Sequence, residues 1–167
     1  DNIERELLKR GATVIRMPSH STCEEILAQK PDAIMLSNGP GDPEEAQGVI
    51  AELKKLSAHK LPTFGICLGH QLLALSHGFK TFKLKYGHRG ANQPARDLVT
   101  DRIFITSQNH GYAVDPSTID ANVAKERFVN SNDGTCEGID YVNEPTFSVQ
   151  FHPEACGGPK DTAYLFD

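Results

Sequence analysis

Cys67 lies between Gly65 and Gly69 in the segment FGICLGHQLLALSHG, directly after a short apolar run. A strand that turns sharply into a helix at a G-x-C-x-G motif is typical of a nucleophile elbow, in which the reactive side chain sits on a strained turn. The amides and dipole at the start of the helix stabilise a thiolate and a developing oxyanion. The alternative is a buried cysteine that only packs in the core. The two flanking glycines favour the nucleophile.

A cysteine nucleophile needs a base, and His152 has the most suitable surroundings. It follows the apolar segment TFSVQF, and Glu154 lies two residues further on in the sequence HPE. The strand end fixes the imidazole, Pro153 stiffens the turn, and the carboxylate can accept a hydrogen bond from the ring nitrogen that faces away from sulfur. An H-x-E pair alone would also fit a surface ion pair. Together with Cys67 it predicts a Cys-His-Glu triad.

The remaining histidines and cysteines point to no metal site. His70 lies three residues beyond Cys67 on the same predicted helix, and we expect it to pack or support the site rather than act as the base. We expect three histidines to be solvated (His20, His59 and His77). His88, in a glycine-rich loop, and His110 are candidates to line a pocket. The four cysteines form no C-x-x-C pair, so neither structural zinc nor a disulfide framework is expected.

The loop NGPGDP follows a short apolar strand and contains Gly39 and Gly41. The third glycine of a dinucleotide-binding loop is missing, and the chain has no G-x-x-x-x-G-K-[ST] motif, so a nucleotide site is not expected. The loop also gives a simple turn in which Asp42 caps the next helix. Because open parallel sheets bind ligands at the carboxyl ends of their strands, the amides of this loop are candidates to face a substrate oxygen.

The pattern of helices and strands predicts an α/β fold for residues 1–167 as a single domain. The first half alternates helices with strands at 12–17, 32–37 and 62–67, which indicates an open, mainly parallel sheet with flanking helices. Ser21 and Glu24 resemble a capping box. The second half is rich in strands, with a hairpin turn at Asp133 and Gly134. The chain begins on a helix and stops at AYLFD, so we expect a fragment that lacks its first strand and its last helix.

Composition excludes several classes of partner. Seventeen basic and 22 acidic side chains give a net charge of −5 without long runs of either sign, which argues against nucleic acid and anionic membranes. No apolar stretch is long enough to span a membrane. The scattered cysteines fit a reducing, cytoplasmic location.

Three segments, LSNGPGDP, FGICLGHQLLA and FSVQFHPEA, closely resemble the class I (triad-type) glutamine amidotransferases. Four more are similar to the glutaminase domain of carbamoyl-phosphate synthetase small chains: KYGHRGANQP, TSQNHGYAVD, NDGTCEGI and GGPKDTAYLFD. The first three would also fit the amidotransferase parts of anthranilate or GMP synthases, whereas the other four favour the small chain. The resemblance covers most of the chain from Ala33 onward and implies a flavodoxin-like α/β fold.

The resemblance implies that Cys67 attacks the side-chain amide of L-glutamine, that His152 transfers protons, and that Glu154 orients the imidazole. The backbone amides of Gly39 and Leu68 would form the oxyanion hole. The positions matching the family's substrate contacts are Gly39, Gly41, Leu68, Gln71, Asn109, Gly111 and Tyr112. Phenylalanine is frequent in the family where this chain has Tyr112.

The resemblance also implies a partner, a large synthetase chain that receives the ammonia and binds ATP and Mg²⁺, whereas this domain itself needs no cofactor or metal. The small chain's N-terminal domain, which contributes a serine to the glutamine site, has no counterpart in this sequence. Three alternatives remain: the glutaminase component of anthranilate synthase or another amidotransferase, a non-catalytic docking module, and a thiol peptidase. The peptidase gives no reason for the NGPGDP match.

Overall fold

The computed structural model describes residues 1–155 and 161–167. Within these ranges the helices are α1 (Asn2–Lys9), α2 (Cys23–Ala28), α3 (Gln47–Ser57) and α4 (Leu68–Ser76). The strands are β1 (Ile34–Leu36), β2 (Thr63–Ile66), β3 (Thr81–Asp97), β4 (Ile103–Val114), β5 (Ala124–Asn130), β6 (Cys136–Tyr141) and β7 (Thr146–Val149). Short 3₁₀ helices lie at Pro43–Glu45, Pro116–Thr118 and Ala163–Phe166. Cys156 and the GGPK segment lie outside the described residues.

The described strands form one sheet in the order β1-β2-β7-β6-β5-β3-β4. β1 pairs with β2, and β2 with β7, in parallel. The pairs β7–β6, β6–β5, β5–β3 and β3–β4 are antiparallel. The α/β class, the flanking helices and the strand-rich second half are confirmed. The expected mainly parallel sheet is a mixed one, because only β1, β2 and β7 pair in parallel and the other described strands pair antiparallel.

Helices cover both faces of the sheet, and the residues of β7 point alternately to the two faces. Phe147 and Val149 belong to the core cluster beneath α1 and the Ala163–Phe166 helix. Ser148, which points to the other face, contacts His70 on α4 with 2.7 Å between the hydroxyl and Nδ1. This alternation places every second residue of β7 on the α4 side. Gln150, just beyond the end of β7, lies on the same side as Ser148.

Two expectations for the first half differ from the structure. Residues 12–17 form no strand, and Ile15 is 55% exposed. In the described residues β1 has a ladder with β2 alone, so segment 12–17 has no neighbouring strand to satisfy its backbone groups. The cap of α2 is Thr22, whose side chain accepts from Glu25 N at 3.1 Å, one position later than the predicted Ser21 and Glu24 box.

In the second half the predicted hairpin turn is confirmed, since Gly134 has a φ of +74° between the antiparallel β5 and β6. His88 lies in β3, which shifts register with β4 on either side of it, rather than in a loop. His77 is mostly buried and contacts the Glu144 carboxylate, contrary to the expected solvated position. No helix in the described part of the chain combines the length and apolar character needed to cross a membrane.

Candidate active site

Cys67 occupies the junction between β2 and α4, as the sequence predicts. Its backbone has a φ of +54° and a ψ of −105°. A non-glycine residue in such a conformation is strained by about 1–3 kcal/mol and persists only where the surroundings fix it. Here the Cys67 N–H donates to Val149 O at 2.9 Å, and its carbonyl accepts from Gln71 N at 3.2 Å. The turn is thereby held between β7 and the first turn of α4.

The two glycines around Cys67 are needed because α4 packs directly on the backbone of two strands. A Cβ on Gly69 would lie 2.4 Å from the Leu36 carbonyl oxygen, and one on Gly65 would lie 2.8 Å from the Gly69 carbonyl carbon. Real Cβ atoms do not approach other heavy atoms this closely. The G-x-C-x-G pattern therefore reflects the close approach of α4 to β1 and β2, which raises Cys67 at the sheet edge.

His152 lies beside Cys67 and is held from behind by Glu154. Its Nδ1 is 2.7 Å from Glu154 Oε1, and its backbone N–H donates to Ser107 O of β4 at 2.9 Å. Burial lowers the pKa of His152, but hydrogen bonds with Cys67 and Glu154 outweigh it and raise that pKa to about 10. At neutral pH the ring is therefore an imidazolium next to the sulfur. The three predicted triad residues are thus in contact.

Two glutamines and a backbone carbonyl also surround the sulfur, the carbonyl being that of Asn109, 3.9 Å from Cys67 Sγ. Gln150 Nε2 donates to Cys67 Sγ at 3.6 Å, and Gln150 Oε1 accepts from Gln71 Nε2 at 2.9 Å. Gln71 Nε2 also donates to Tyr112 O at 2.8 Å. Gln150 was not predicted as a site residue from the sequence. The available signal was a polar residue in the apolar run TFSVQF, two positions before His152 and so on the same side of the strand.

A cavity of about 600 Å³ opens in front of Cys67 and His152. Of the residues predicted to contact substrate, those that line it are Gly39, Gly41, Gln71, Asn109, Gly111 and Tyr112. Leu68 is not among the lining residues, and its side chain packs where a Cβ on Gly39 would lie, 2.8 Å from Leu68 Cδ2. The cavity is also lined by Asn38, Pro40, Asp42, Lys83, Arg89 and His110, of which only His110 was expected there.

His88 does not line the cavity but belongs to a buried polar cluster behind it. In the described residues, ligand atoms of His88, His110 and Glu137 lie within 4.8 Å of one another, a spacing that would suit a metal ion. These groups also contact one another: His88 Nδ1 is 3.3 Å from Glu137 Oε1, and His88 Nε2 is 2.7 Å from Asp133 Oδ2. Hydrogen bonding to Glu137, opposed by burial and aided by Asp133, raises the pKa of His88 to about 9. Burial raises the pKa of Glu137 against the hydrogen bond from His88, and Glu137 Oε2 has no hydrogen-bond partner within the described ranges. We interpret the cluster as a pairing of His88 with Asp133 and Glu137 between strands.

The sequence profile described as "Glutamine amidotransferase class-I" matches residues 1–167. With a thiol on a strand-to-helix elbow beside a histidine and a glutamate, the chain belongs to the class-I glutamine amidotransferase family.

The chain is similar to carbamoyl phosphate synthase small chains from several organisms. It is 51% identical over 165 residues to that of Fusobacterium nucleatum, covering 99% of this chain and 46% of the relative. It is 51% identical over 166 residues to that of Methanopyrus kandleri, covering 99% and 46%. It is 53% identical over 165 residues to that of Akkermansia muciniphila, covering 99% and 44%. The chain thus spans less than half the length of these relatives.

Solved structures share the fold at low sequence identity. A putative GMP synthase protein from Thermoplasma acidophilum superposes with a TM-score of 0.83 at 20% identity, covering 99% of this chain and 84% of that one. A glutamine amidotransferase from Thermotoga maritima gives a TM-score of 0.62 at 19% identity, covering 87% and 62%. These likenesses concern the fold alone.

Proposed function

We propose that this chain is the glutaminase part of a glutamine-hydrolysing carbamoyl-phosphate synthetase and converts L-glutamine to glutamate and ammonia. The observation that carries the proposal is the placement of Cys67 on a strained elbow, next to a His152 held by Glu154, at the wall of a cavity of about 600 Å³. The similarity to carbamoyl phosphate synthase small chains, at 51–53% identity, supports this class over other amidotransferases.

The first half-reaction uses the contact between His152 and the Cys67 sulfur. The protonated His152 faces the sulfur, which attacks the side-chain carbonyl carbon of glutamine as a thiolate and forms a C–S bond and an oxyanion. The oxyanion would be bound by the backbone amides of Gly39 and Leu68. The imidazolium then donates its proton to the leaving nitrogen, so that the C–N bond breaks and ammonia departs. A glutamyl thioester remains on Cys67.

The second half-reaction uses the same groups in the opposite sense. Neutral His152 takes a proton from water, and the resulting hydroxide attacks the thioester carbon. The C–S bond breaks, glutamate leaves, and the thiolate and imidazolium are restored. Glu154 accepts from Nδ1 in both halves, which fixes the ring and stabilises its charge each time the ring is protonated.

The whole-enzyme part of the proposal concerns a partner. Ammonia would pass to a large synthetase chain, where ATP and Mg²⁺ would bind, and this domain would need neither. Because the matched relatives are more than twice as long as this chain, we propose that it works as one domain of a longer small chain. Its buried, unpaired thiols at Cys23, Cys67 and Cys136 suit a reducing cytoplasm.

Replacing the nucleophile tests the proposal. In the full-length small chain with its synthetase partner, Cys67→Ser should lower the rate of glutamine-dependent synthesis by about 10³-fold or more. A serine hydroxyl is far harder to ionise than a thiol. Synthesis from added ammonia by Cys67→Ser should remain near the wild-type rate. A Cys23→Ser control should keep the wild-type rate with either glutamine or ammonia. An equal loss of ammonia-dependent synthesis in Cys67→Ser would contradict the nucleophile assignment. Retention of glutaminase activity in Cys67→Ser would do the same.

A further inference from the structure

The polarity of the two buried glutamines is fixed by a backbone carbonyl. Tyr112 O can only accept hydrogen bonds, so the Gln71 atom 2.8 Å from it must be the amide nitrogen. The same nitrogen lies 2.9 Å from the Gln150 side chain, so the Gln150 atom facing it must be the amide oxygen. The amide nitrogen of Gln150 is thereby left on the other side, 3.6 Å from Cys67 Sγ. The order of contacts leaves no choice of amide flip.

The N–H group aimed at Cys67 is buried, and its amide is hydrogen-bonded at both ends. Gln150 is fully buried and Gln71 is 3% exposed. The Gln150 amide has a partner at both ends, Gln71 at its oxygen and Cys67 at its nitrogen, and the Gln71 nitrogen has two acceptors. Cys67 itself is 4% exposed, so water provides little solvation for a charge on its sulfur. A hydrogen bond to an ionised acceptor is about twice as strong as one to a neutral acceptor. A fixed donor at this place therefore favours the thiolate over the thiol.

We propose that Gln150 is a further catalytic residue, whose side-chain N–H donates to the Cys67 sulfur and stabilises the thiolate both before attack and when it leaves the thioester. Gln71 is the positioning residue for this contact, since both hydrogens of its amide are used on Tyr112 and Gln150. Only Gln71 Oε1 then remains to face a ligand. The catalytic part rests on the proposed function, because it takes Cys67 as the nucleophile.

The chain offers a closely matched pair of variants. Gln150→Glu keeps the oxygen that accepts from Gln71 but replaces the donor with an acceptor that repels the thiolate. Gln150→Met removes the polar contacts at nearly constant volume and serves if Gln150→Glu does not fold. Ser148→Ala is the control, because Ser148 lies on the same side of β7, is 1% exposed, and loses only its contact with His70. Circular dichroism and urea unfolding establish that each variant is folded.

The readout is the pH dependence of iodoacetamide alkylation at Cys67, followed by mass spectrometry of its peptide in the full-length chain. We expect Gln150→Glu and Gln150→Met to slow alkylation of Cys67 at neutral pH by about 10-fold or more, because the sulfur has lost the N–H donor that stabilises the thiolate. In the complex, kcat for glutamine should fall by a similar factor with KM little changed. Ser148→Ala should follow the wild type in both measurements.

Two outcomes would overturn the inference: folded Gln150 variants with the wild-type alkylation profile, or a Ser148→Ala profile shifted as far as theirs. Failure of the proposed function has a different signature. In that case the wild-type complex would not release ammonia from glutamine, while the alkylation profiles of Cys67 would still separate the Gln150 variants from the control.

Discussion

His152 is hydrogen-bonded to the Cys67 sulfur on one side and to the Glu154 carboxylate on the other, and its pKa of about 10 depends on both contacts. Glu154→Gln keeps an oxygen that can accept from Nδ1 but removes the charge, so the pKa of His152 should fall. Because the imidazolium is the acid that releases ammonia in the proposed mechanism, the alkaline limb of the glutaminase pH–rate profile should move to lower pH. The loss of kcat should be milder than in Cys67→Ser, on the order of 10²-fold, the lower end of the range typical of acid–base groups.

The position of the alkaline limb separates an electrostatic role for Glu154 from a merely structural one. Glu52→Gln provides a charge-matched control away from the site, since Glu52 contacts Lys55 and the Cys23 N–H. The assignment is contradicted if Glu154→Gln lowers kcat at all pH values with the limb unmoved. It is also contradicted if Glu52→Gln moves the limb equally.

At the scale of single residues, the sequence predicted the site residues that stand in local motifs, but not those whose roles depend on tertiary contacts. Cys67 and His152 stand in short motifs whose spacing already specifies their chemistry, and their contact follows. Gln150 acts on sulfur only because Gln71, on another element, fixes the direction of its amide. No spacing in the sequence encodes that orientation. His88 likewise lies in the buried cluster because β3 pairs with β4. The glycine-rich segment around it predicted a loop instead of a strand.

The nucleophile elbow as an element depends on the approach of α4 to the strands. Gly69→Ala would place a methyl group 2.4 Å from the Leu36 carbonyl oxygen, and backbone cannot move as easily as a side chain. We expect it to lower the free energy of unfolding by about 1–3 kcal/mol or more. Glutaminase activity should fall as well, because α4 carries the elbow with it. Urea unfolding measures the first effect and ammonia release the second.

Gly48→Ala is the matched control for that prediction. Gly48 lies in α3, and a Cβ there would meet no atom within 4 Å. Since alanine is the better helix former, this variant should be as stable as the wild type or more stable by up to about 1 kcal/mol. If Gly69→Ala proved as harmless as Gly48→Ala, the close packing of α4 on β1 would not be what holds the elbow.

The sequence predicted most elements but not all of their partners. Periodicity and turn residues located the helices and the Asp133–Gly134 hairpin, because those signals are local. An apolar alternation at 12–17 also predicted a strand, yet a strand forms only where a neighbour supplies hydrogen bonds. The mixed pairing of the sheet was likewise not evident, since it depends on which strands meet after folding.

At the scale of the whole molecule, the site joins distant parts of the chain at one edge of the sheet. The loop after β1 provides Gly39 and Gly41, the β2–α4 junction provides Cys67, the segment after β7 provides His152, and β4 provides Asn109. Because β1, β2 and β7 are parallel, their carboxyl ends lie together, as expected for ligand sites in such sheets. β4 reaches this edge from the opposite side of the sheet order and closes the cavity.

The cluster around His88 ties β3 to β4, β6 and the β5–β6 turn, so its charge should influence the stability of the entire fold. The groups facing His88 are Glu137, Asp133, Gln108 and His110. Burial lowers the pKa of His110 to about 4, so His110 remains neutral above pH 6. Glu137 and Asp133 raise the pKa of His88 to about 9, against about 6.5 in an unfolded chain.

A group whose pKa is higher in the folded state binds more protons there, so its stabilisation is full below the unfolded pKa and is lost as pH rises through the folded pKa. The contribution of His88 should thus be complete below about pH 6.5 and disappear as pH rises through about 9. We expect His88→Gln to destabilise the protein most near pH 6, with a difference from wild type that shrinks steadily towards pH 9.5. His152 titrates in the same direction in both proteins, so its effect cancels in that difference.

Urea unfolding at several pH values measures the difference in the free energy of unfolding between His88→Gln and the wild type, with the exposed His59→Gln as control. A difference that is constant with pH would show that His88 acts through packing and neutral hydrogen bonds rather than through its charge.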